Sequence, residues 1–374
     1  MPLILHIISG LNVGGAEMML HRLITSSSNG RFNHVVIALS AVGGMWQRFE
    51  SIGIRVEAVE IKKRPLSDFL KLIIIIKKYQ PDIVQTWLVH ANLLGSIAAR
   101  IAGVNRILWG IRSAEENFSG FSSARLASYC CAILSRWIPR IIVCAAEASR
   151  SNCVAMGYND NRIVVIPNGF DCMYLKPLPC ERLEIRKALG FNSAVIVVGF
   201  LGRFHPDKDP RNFVLAAEII AREYPNVVFL MIGRHIEPAN EQLKSYLNAT
   251  GYAHRFVLLG ERSDTRICLA AIDIFCLSSL SEGFPNVVGE AMAMGIPCVV
   301  TNTGDAAVLV ADTGVVVPKS NPVALSNGVK NIINLSIGER QTLGKKARSR
   351  IENDFSLALT RQRFEAVYLN LLRK

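Results

Sequence analysis

The sequence has no hydrophobic run long enough to cross a bilayer. A spanning helix needs about 18 or more apolar residues. The longest candidate, Leu70–Ile76, is interrupted by Lys71 and closed by a Lys-Lys pair. The apolar segment Met1–Ser9 lacks the basic region and cleavage site of a signal peptide, so we predict it to be a first strand. Together these features predict a protein that stays in the cytoplasm.

Paired cysteine motifs are also missing. The chain has nine cysteines, an odd number, and no Cys-x-x-Cys pair. Apart from the adjacent Cys130 and Cys131, they are scattered through apolar segments. This distribution is typical of buried thiols in a reducing compartment, and it argues against a disulfide framework or a zinc site.

Acidic residues are scarce relative to basic ones, 30 against 42, which gives a net charge of +12. Residues 1–175 carry 18 Lys and Arg against 11 Asp and Glu. Basic clusters lie at 62–64, 77–78 and 136–140, the last around Trp137. We interpret the excess as attraction to an anionic membrane surface, and the alternative is a solvated basic face. No recognisable nucleic-acid-binding module accompanies the charge, so no nucleic-acid partner is predicted.

Only 19% of the residues are charged and half are hydrophobic, so 374 residues can bury two sizeable cores. Short apolar strands alternate with amphipathic helices, stop at a Pro-rich linker at 175–180, and then resume. Such alternation predicts two α/β domains with parallel sheets, and their sites belong at the carboxyl ends of the strands. The expected bounds are 1–175, 176–355, and 356–374 for a final amphipathic helix.

The predicted strands of the first half are Leu3–Ser9, His34–Ser40, Arg55–Ile61, Asp82–Trp87, Arg106–Arg112 and Arg140–Ala146. Those of the second half are Ala194–Arg203, Val227–Gly233, Arg255–Leu259, Asp273–Ser279 and Pro297–Thr301.

Residues 278–300 carry the most informative pattern, in which two glutamates bracket a Gly-Phe-Pro-Asn turn. The turn is predicted to follow a buried strand and to open a helix over Asn286–Met294, with Pro285 as its first residue. N–H groups at a helix start can hold phosphate. Carboxylates repel phosphate but accept hydrogen bonds from hydroxyls, so Glu282 and Glu290 suit vicinal diols. Phosphate flanked by diols describes a sugar nucleotide. Alternatively, both acids only complement the helix dipole.

This segment resembles the E-x7-E motif of retaining glycosyltransferases with the GT-B fold, in particular glycosyltransferase family 4. The resemblance implies a GT-B fold, in which two Rossmann-like domains face each other across a cleft and the last helix crosses back to the N-terminal domain. It also implies that Glu282 contacts the donor sugar and Glu290 the ribose. The turn would hold the diphosphate through Gly283, Phe284, Pro285, Asn286, Val287 and Val288.

A basic pair follows the first strand of the second domain. Arg203 and Lys208 have the spacing with which the family grips the donor diphosphate. Two cations suit this task because the leaving group gains negative charge as the glycosidic bond breaks. Residues 207–209 also spell Asp-Lys-Asp, the metal motif of another glycosyltransferase fold. We interpret Asp209 and Pro210 instead as the N-cap and first residue of a helix, and predict neither a metal nor a cofactor.

Another loop completes the predicted donor site. Residues 257–262 end a strand where the family binds the base, so Gly260, Glu261 and Arg262 are candidates. Gly233 ends the preceding strand and is expected nearby.

The loop after the first strand, residues 10–17, does not fit G-x-G-x-x-G, which disfavours dinucleotide binding. Its Gly-Gly-Ala-Glu resembles a family loop beside the donor phosphates and the acceptor. We therefore assign Gly15 to the donor and Gly14 to the acceptor, and the alternative is a tight strand-to-helix turn.

Three further residues are predicted to bind the acceptor. His90 and Asn92 follow the fourth strand and are expected to face the cleft, although an isolated His is often structural. Arg112 stands where many family members have a His that contacts the transferred sugar or its phosphate. An Arg at this position can still pair with phosphate.

The resemblance implies a retaining, metal-independent transfer from a nucleoside-diphosphate sugar to a glycan, with Glu282, Arg203 and Lys208 as the catalytic residues. The departing phosphate would accept the acceptor's proton. The expected acceptor is a lipid-linked intermediate of a bacterial surface polysaccharide such as O-antigen or lipopolysaccharide, and the expected location is the inner face of the membrane. Two alternatives remain open: a GT-B sugar-nucleotide epimerase, and a non-catalytic sugar-nucleotide-binding protein.

Overall fold

The computed structural model describes residues 1–12, 14–27, 30–41, 43–112 and 123–373. The chain divides into two compact units. The N-terminal unit comprises Met1–Gly169 and Leu357–Lys374, and the C-terminal unit comprises Phe170–Ser356. The described residues contain no helix that is both long and apolar enough to span a membrane.

The described part of the N-terminal unit forms a parallel seven-stranded sheet with the order β3-β2-β1-β4-β5-β6-β7. Its central strands are buried along their whole length, as expected for a parallel sheet covered on both faces. The strands are Leu3–Ile8 (β1), Asn33–Ala38 (β2), Arg55–Ala58 (β3), Ile83–Trp87 (β4), Ile107–Ile111 (β5), Ile141–Cys144 (β6) and Ile163–Val165 (β7).

Helices cover both faces of this sheet. One face packs against α1 and α2, and the other against α3, α4, α5 and α6. The helices are Gly15–Ser26 (α1), Trp46–Glu50 (α2), Pro65–Tyr79 (α3), Ser96–Ile101 (α4), Ser123–Leu134 (α5) and Glu147–Ala155 (α6). A π-helical turn at Ala91–Gly95 precedes α4.

The described C-terminal unit forms a parallel six-stranded sheet with the order β10-β9-β8-β11-β12-β13. Its strands are Ile196–Leu201 (β8), Val227–Ile232 (β9), Phe256–Leu258 (β10), Ile274–Leu277 (β11), Cys298–Thr301 (β12) and Val315–Val317 (β13). Its helices are Pro179–Ala188 (α7), Pro210–Glu223 (α8), Glu241–Ala249 (α9), Thr265–Ala270 (α10), Asn286–Ala293 (α11), Ala306–Val310 (α12), Pro322–Ile333 (α13) and Ile337–Asp354 (α14).

The last helix, Leu357–Arg373 (α15), belongs to the N-terminal unit, where Phe364, Tyr368 and Leu371 are buried beside α1. The units divide at 169/170, not at the predicted 175/176. Phe170 lies in the C-terminal unit because its ring stacks on Phe284 and its amide donates to the Phe355 carbonyl.

All eleven predicted strands are present in the described structure, but β7 and β13 are missing from the prediction. Each has three residues and lies at an outer edge of its sheet. No disulfide joins any of the nine cysteines in the described structure, and six of them are buried.

Candidate active site

The side chain of Glu282 is held on the loop that follows β11. Its Oε1 accepts hydrogen bonds from Lys208 Nζ at 2.5 Å and from Ser279 Oγ at 2.7 Å. Only 10% of the side chain is exposed. Both bonds go to Oε1, so within the described residues Oε2 has no partner and can accept from a ligand hydroxyl. Ser279 is a site residue that the prediction missed, although it lies in the same segment.

Lys208 reaches Glu282 because β8 and β11 are neighbours in the sheet, at the point where the strand order reverses. This is where parallel α/β sheets bind ligands. The two loops are tied together: the Leu280 amide donates to the Asp207 carbonyl at 2.8 Å, and Ser278 Oγ donates to the Lys208 carbonyl at 2.8 Å. The Lys208 ammonium is thus positioned by backbone contacts on both sides.

Asp209 is a helix cap, as predicted. Its Oδ1 accepts from the Asn212 amide at 3.1 Å, and α8 begins at Pro210. Burial raises the pKa of the Asp209 carboxyl. No group of three or more His, Cys, Asp and Glu side chains is placed to hold a metal ion in the described part of the chain.

Arg203 is more loosely held than Lys208. Its side chain is 57% exposed, and its Nη2 lies 3.7 Å from the Asp207 carboxylate, which is also 3.1 Å from His205 Nδ1. An exposed pair at this distance contributes little stability, so Arg203 can turn towards an incoming anion.

The turn before α11 corrects one prediction. Pro285 lies outside the helix as its N-cap, and proline has no N–H with which to hold phosphate. The Val288 amide is also engaged, because it donates to the Pro285 carbonyl at 3.0 Å. The Val287 amide has no acceptor within the described residues and can donate to a ligand.

The side chains of the same turn are structural. Phe284 and Val288 are buried, and the Phe284 ring lies between Phe170 and Phe355. These two residues can therefore contact a donor only through their backbone. Glu290 is half-buried on the second turn of α11, and Asn286 and Gly283 lie on either side of Phe284 and Pro285.

Gly304 fixes the position of the turn, and the prediction missed it. Its φ is +51°, and a Cβ would lie 2.2 Å from the Glu282 carbonyl oxygen and 2.4 Å from that of Gly283. The next residue, Asp305, donates its amide to the Gly283 carbonyl at 2.9 Å. The available signal was the Thr-Gly-Asp sequence just after β12, whose carboxyl end lies beside that of β11.

The strand ends predicted to bind the base are in contact. The Gly233 amide donates to the Gly260 carbonyl at 2.7 Å, and both glycines have positive φ. A Cβ on Gly233 would lie 2.1 Å from the Gly202 carbonyl, so only glycine fits. Arg262 is bound to Asp264 by two hydrogen bonds, which hold the pKa of that carboxyl below its usual range. Glu261 is exposed.

In the N-terminal unit, Gly14 caps α1 and Gly15 is its exposed first residue; Val13 lies outside the described residues. Gly14 has extended backbone, and a Cβ there would lie 2.5 Å from Glu17 Oε2, the end of a flexible side chain that can move aside, so the position does not require glycine. Burial raises the pKa of the Glu17 carboxyl.

The structure corrects the expectation that Asn92 faces the cleft. The residue is buried, its Oδ1 accepts from Thr86 Oγ1 at 2.7 Å, and its Nδ2 donates to the Gly110 carbonyl at 3.3 Å. Asn92 therefore joins β4 to β5, and its amide is not available to an acceptor. His90 is half-exposed and lies 3.4 Å from Ser123 Oγ. Burial and the nearby charge of Lys62 lower the pKa of His90.

Arg112 lies at the carboxyl end of β5, packed over the rings of Trp87 and Phe364. Its Nη1 donates to Asn168 Oδ1 at 2.9 Å and to the Ile166 carbonyl at 3.3 Å. Nε and Nη2 are buried without a partner in the described structure. Burial lowers the pKa of Arg112 to about 10, so the group stays charged at neutral pH. A buried cation with two unused donors suits a phosphate or a sugar oxygen.

Comparison with known proteins assigns both halves of the chain to one family. Residues 13–173 match the model described as Glycosyltransferase Family 4, and residues 181–350 match that described as Glycosyl transferases group 1.

Similar proteins extend over most of the chain. An Escherichia coli UDP-Gal:alpha-D-GlcNAc-diphosphoundecaprenol alpha-1,3-galactosyltransferase is 27% identical over 83% of this chain and 80% of its own length. CapM, a capsular polysaccharide biosynthesis glycosyltransferase of Staphylococcus aureus, is 28% identical over 83% and 82%. The Anabaena HepE structure with UDP and glucose has a TM-score of 0.86, 21% identity, and covers 99% of this chain and 100% of its own. This likeness shows the GT-B fold.

Proposed function

The chain belongs to the group 1 glycosyltransferases of family 4, and we propose that it transfers a sugar from a nucleoside-diphosphate sugar to a glycan with retention and without a metal. The observation that carries the proposal is the Lys208–Glu282–Ser279 arrangement at the switch point of the C-terminal sheet. It places a fixed cation beside a carboxylate with one free oxygen. The relatives named above are glycosyltransferases, so the epimerase and non-catalytic alternatives are not favoured.

In the proposed chemistry, cationic side chains act on the diphosphate and a carboxylate acts on the sugar. As the bond between the anomeric carbon and the phosphate oxygen breaks, its electron pair passes to the diphosphate. Lys208 and Arg203 stabilise the charge that develops there. Glu282 Oε2 accepts from sugar hydroxyls and keeps the anomeric carbon in place. The acceptor oxygen attacks the same face, and its proton goes to the departing phosphate.

We propose a UDP-sugar as the donor and a lipid-linked glycan of a surface polysaccharide, of the O-antigen or lipopolysaccharide kind, as the acceptor. The support comes from the relatives: the Escherichia coli enzyme is named for UDP-Gal and a diphosphoundecaprenol acceptor, and HepE was solved with UDP and glucose. Arg112, with its two unused donors, is the candidate contact for an acceptor phosphate or sugar.

Slow donor hydrolysis tests the proposal without a known acceptor. Purified protein is incubated with UDP-, GDP- and ADP-sugars in EDTA, and released nucleoside diphosphate and the anomer of the released sugar are measured. We expect release from one donor class, with retained configuration, and at least a tenfold lower rate in Glu282→Gln. Release only after divalent metal is restored would contradict metal independence, and an inverted anomer would contradict retention. A Glu282→Gln rate within a few-fold of wild type would contradict the role of Glu282.

We further propose that the N-terminal unit docks on an anionic membrane through its α3–α5 face. This face is defined by Leu66, Leu70, Ile74, Leu126, Tyr129 and Ile133, which are all exposed. Their spacing of three or four residues places them on one side of each helix, and both helices cover the same side of the sheet. Lys71, Lys78 and Arg136 are exposed among them. Apolar side chains surrounded by cations suit an anionic lipid surface.

Substitution of this face tests the membrane proposal. Leu70→Gln with Ile74→Gln should lower binding to phosphatidylglycerol vesicles about tenfold, because two apolar side chains no longer insert. The matched control is Val323→Gln with Ile337→Gln, two exposed apolar residues of the C-terminal unit. Equal binding by both variants would contradict the α3–α5 face.

A further inference from the structure

A large basic pocket lies at the amino-terminal edge of the N-terminal sheet. Its volume is about 960 Å³. The lining includes four cationic side chains and a single carboxylate, Asp82, which is engaged by the Leu3 amide at 2.8 Å. The four cations are Lys77, Arg106, Arg140 and Arg162. None of them forms an ion pair within the described residues.

The topology explains the row of arginines. Arg106, Arg140 and Arg162 each immediately precede a strand, β5, β6 and β7 respectively, and these strands are parallel neighbours. Adjacent strands lie about 4.8 Å apart, so their starting residues stand side by side at one edge. Three arginines are thus placed at one edge of the sheet by the fold itself.

Contacts with backbone carbonyls fix part of this row. Arg162 Nη1 donates to the Pro139 carbonyl at 2.5 Å, and the neighbouring Arg100 Nη2 donates to the Trp137 carbonyl at 3.2 Å. Burial and the charges of Arg140 and Arg100 lower the pKa of Arg162. Like charges held together without a counterion destabilise the protein, and a bound anion removes that repulsion.

We infer that this pocket binds the phosphate group of an anionic ligand, at a site separate from glycosyl transfer. The predicted donor and acceptor residues lie at the carboxyl ends of strands. The pocket lies at the amino ends, about 16 Å away along a five-residue strand such as β4. Its volume exceeds that of inorganic phosphate and accommodates a phosphate ester with an attached organic group.

A lipid headgroup and a soluble phosphate ester share this chemistry. Three exposed apolar side chains, Ile74, Ile101 and Trp137, each lie within three residues of a lining residue. Insertion of these side chains into a membrane would bring the pocket to the headgroup layer. The inference in this form rests on the membrane docking proposed above.

The test uses Lys77→Gln with Arg140→Gln, because both side chains are exposed and neither has a structural hydrogen bond within the described residues. We expect binding to phosphatidylglycerol vesicles to fall about 30-fold, since each basic residue near an anionic surface contributes about 1 kcal/mol. The control, Lys345→Gln with Lys346→Gln, removes the same charge from α14 and should change binding less than threefold. The conservative pair Lys77→Arg with Arg140→Lys should restore binding.

A second arm identifies the source of the phosphate. Glycerol 3-phosphate is added to vesicle-bound protein at constant ionic strength. Release of the wild type shows that the pocket takes soluble phosphate esters. Retention together with the loss of vesicle binding in the pocket variant shows that the pocket takes membrane headgroups, whereas retention without that loss overturns the inference.

Equal losses of vesicle binding in the pocket and control variants, or no loss in either, would overturn the inference that the pocket binds phosphate. Release of nucleoside diphosphate in solution should be unchanged in the pocket variants, so failure here is distinguishable from failure of the proposed transfer reaction.

Discussion

The predicted site residues of the two units differ in how many of their hydrogen-bonding groups already have a partner within the protein. In the C-terminal unit, Lys208 is bound to Glu282, and backbone hydrogen bonds join the loops that carry them. In the N-terminal unit, Arg112 keeps two guanidinium nitrogens, Nε and Nη2, without a partner in the described structure. A donor site that serves one leaving group can be built in advance, whereas an acceptor site leaves donors for the acceptor to satisfy.

The largest effect is expected from Lys208→Ala, which removes the fixed cation of the donor site. We expect kcat/KM to fall about 10²–10³-fold, because the developing diphosphate charge loses a preorganised partner. Lys345→Ala, an exposed lysine on α14, is the control and should leave kcat/KM unchanged. If both variants kept full activity, the preorganised donor site would be disproved.

Acid should destabilise the N-terminal unit before the C-terminal one. The Trp87 indole donates to His6 Nδ1 at 3.2 Å, and His6 Nε2 lies 3.0 Å from His34 Nδ1. Burial lowers the pKa of both imidazoles, that of His34 to about 4. The unfolded chain therefore binds more protons between pH 6.5 and about 4. Stability is fully present above pH 6.5 and falls as the pH approaches 4, by up to about 3 kcal/mol for His34.

Urea unfolding followed by tryptophan fluorescence at pH 5 and pH 8 measures this loss, because Trp46, Trp87, Trp109 and Trp137 all lie in the N-terminal unit. His34→Gln should flatten the pH dependence. His254→Gln, an exposed residue of the C-terminal unit, should not. An unchanged slope in His34→Gln would rule out this imidazole as the cause.

Gly304→Ala should weaken the binding free energy of the donor by about 2 kcal/mol. Alanine is strained at this positive φ, and its methyl group displaces the Glu282 backbone. Gly251→Ala has a similar positive φ, +73°, but no atom within 4 Å of the new Cβ, and so isolates the strain. Donor affinity, measured by calorimetry, should fall only in Gly304→Ala. Parallel losses in the two variants would mean that strain alone matters.

The smallest effects are expected for Asn92 and His90, which lie close together in the N-terminal unit. Asn92→Ala removes two buried hydrogen bonds, to Thr86 Oγ1 and to the Gly110 carbonyl, and should lower the free energy of unfolding by about 1–2 kcal/mol. His90→Ala should leave stability within about 0.5 kcal/mol and raise the KM for the acceptor. Thermal unfolding and acceptor titration measure the two effects. The opposite pattern would assign the acceptor contact to Asn92.

Much of the arrangement proposed as the donor site could be predicted because its residues occupy fixed positions relative to strand ends. Glu282, Lys208 and Asp209 each lie within a few residues of a recognisable strand or helix start, so their location follows from the alternation of elements. Asn92 could not be placed in this way. It lies in a π-helical turn, where one additional residue per turn changes the direction of the side chain.

Residues far apart in sequence were beyond pattern analysis. Gly304 contacts Glu282 across the gap between two strand ends, and the row formed by Arg106, Arg140 and Arg162 exists only because three strands are adjacent. Composition showed that the first half is basic, but not that its charges converge on one pocket.

The sequence by itself determined the two α/β units, the segment of residues 278–300 and the cations that precede it, because hydrophobic periodicity and helix-start chemistry are local properties. Tertiary structure decided which oxygen of Glu282 stays available, which amides of the turn can donate, and that Asn92 is structural. Each of these depends on hydrogen bonds between loops that are brought together by strand order, and strand order is a long-range property of the folded chain.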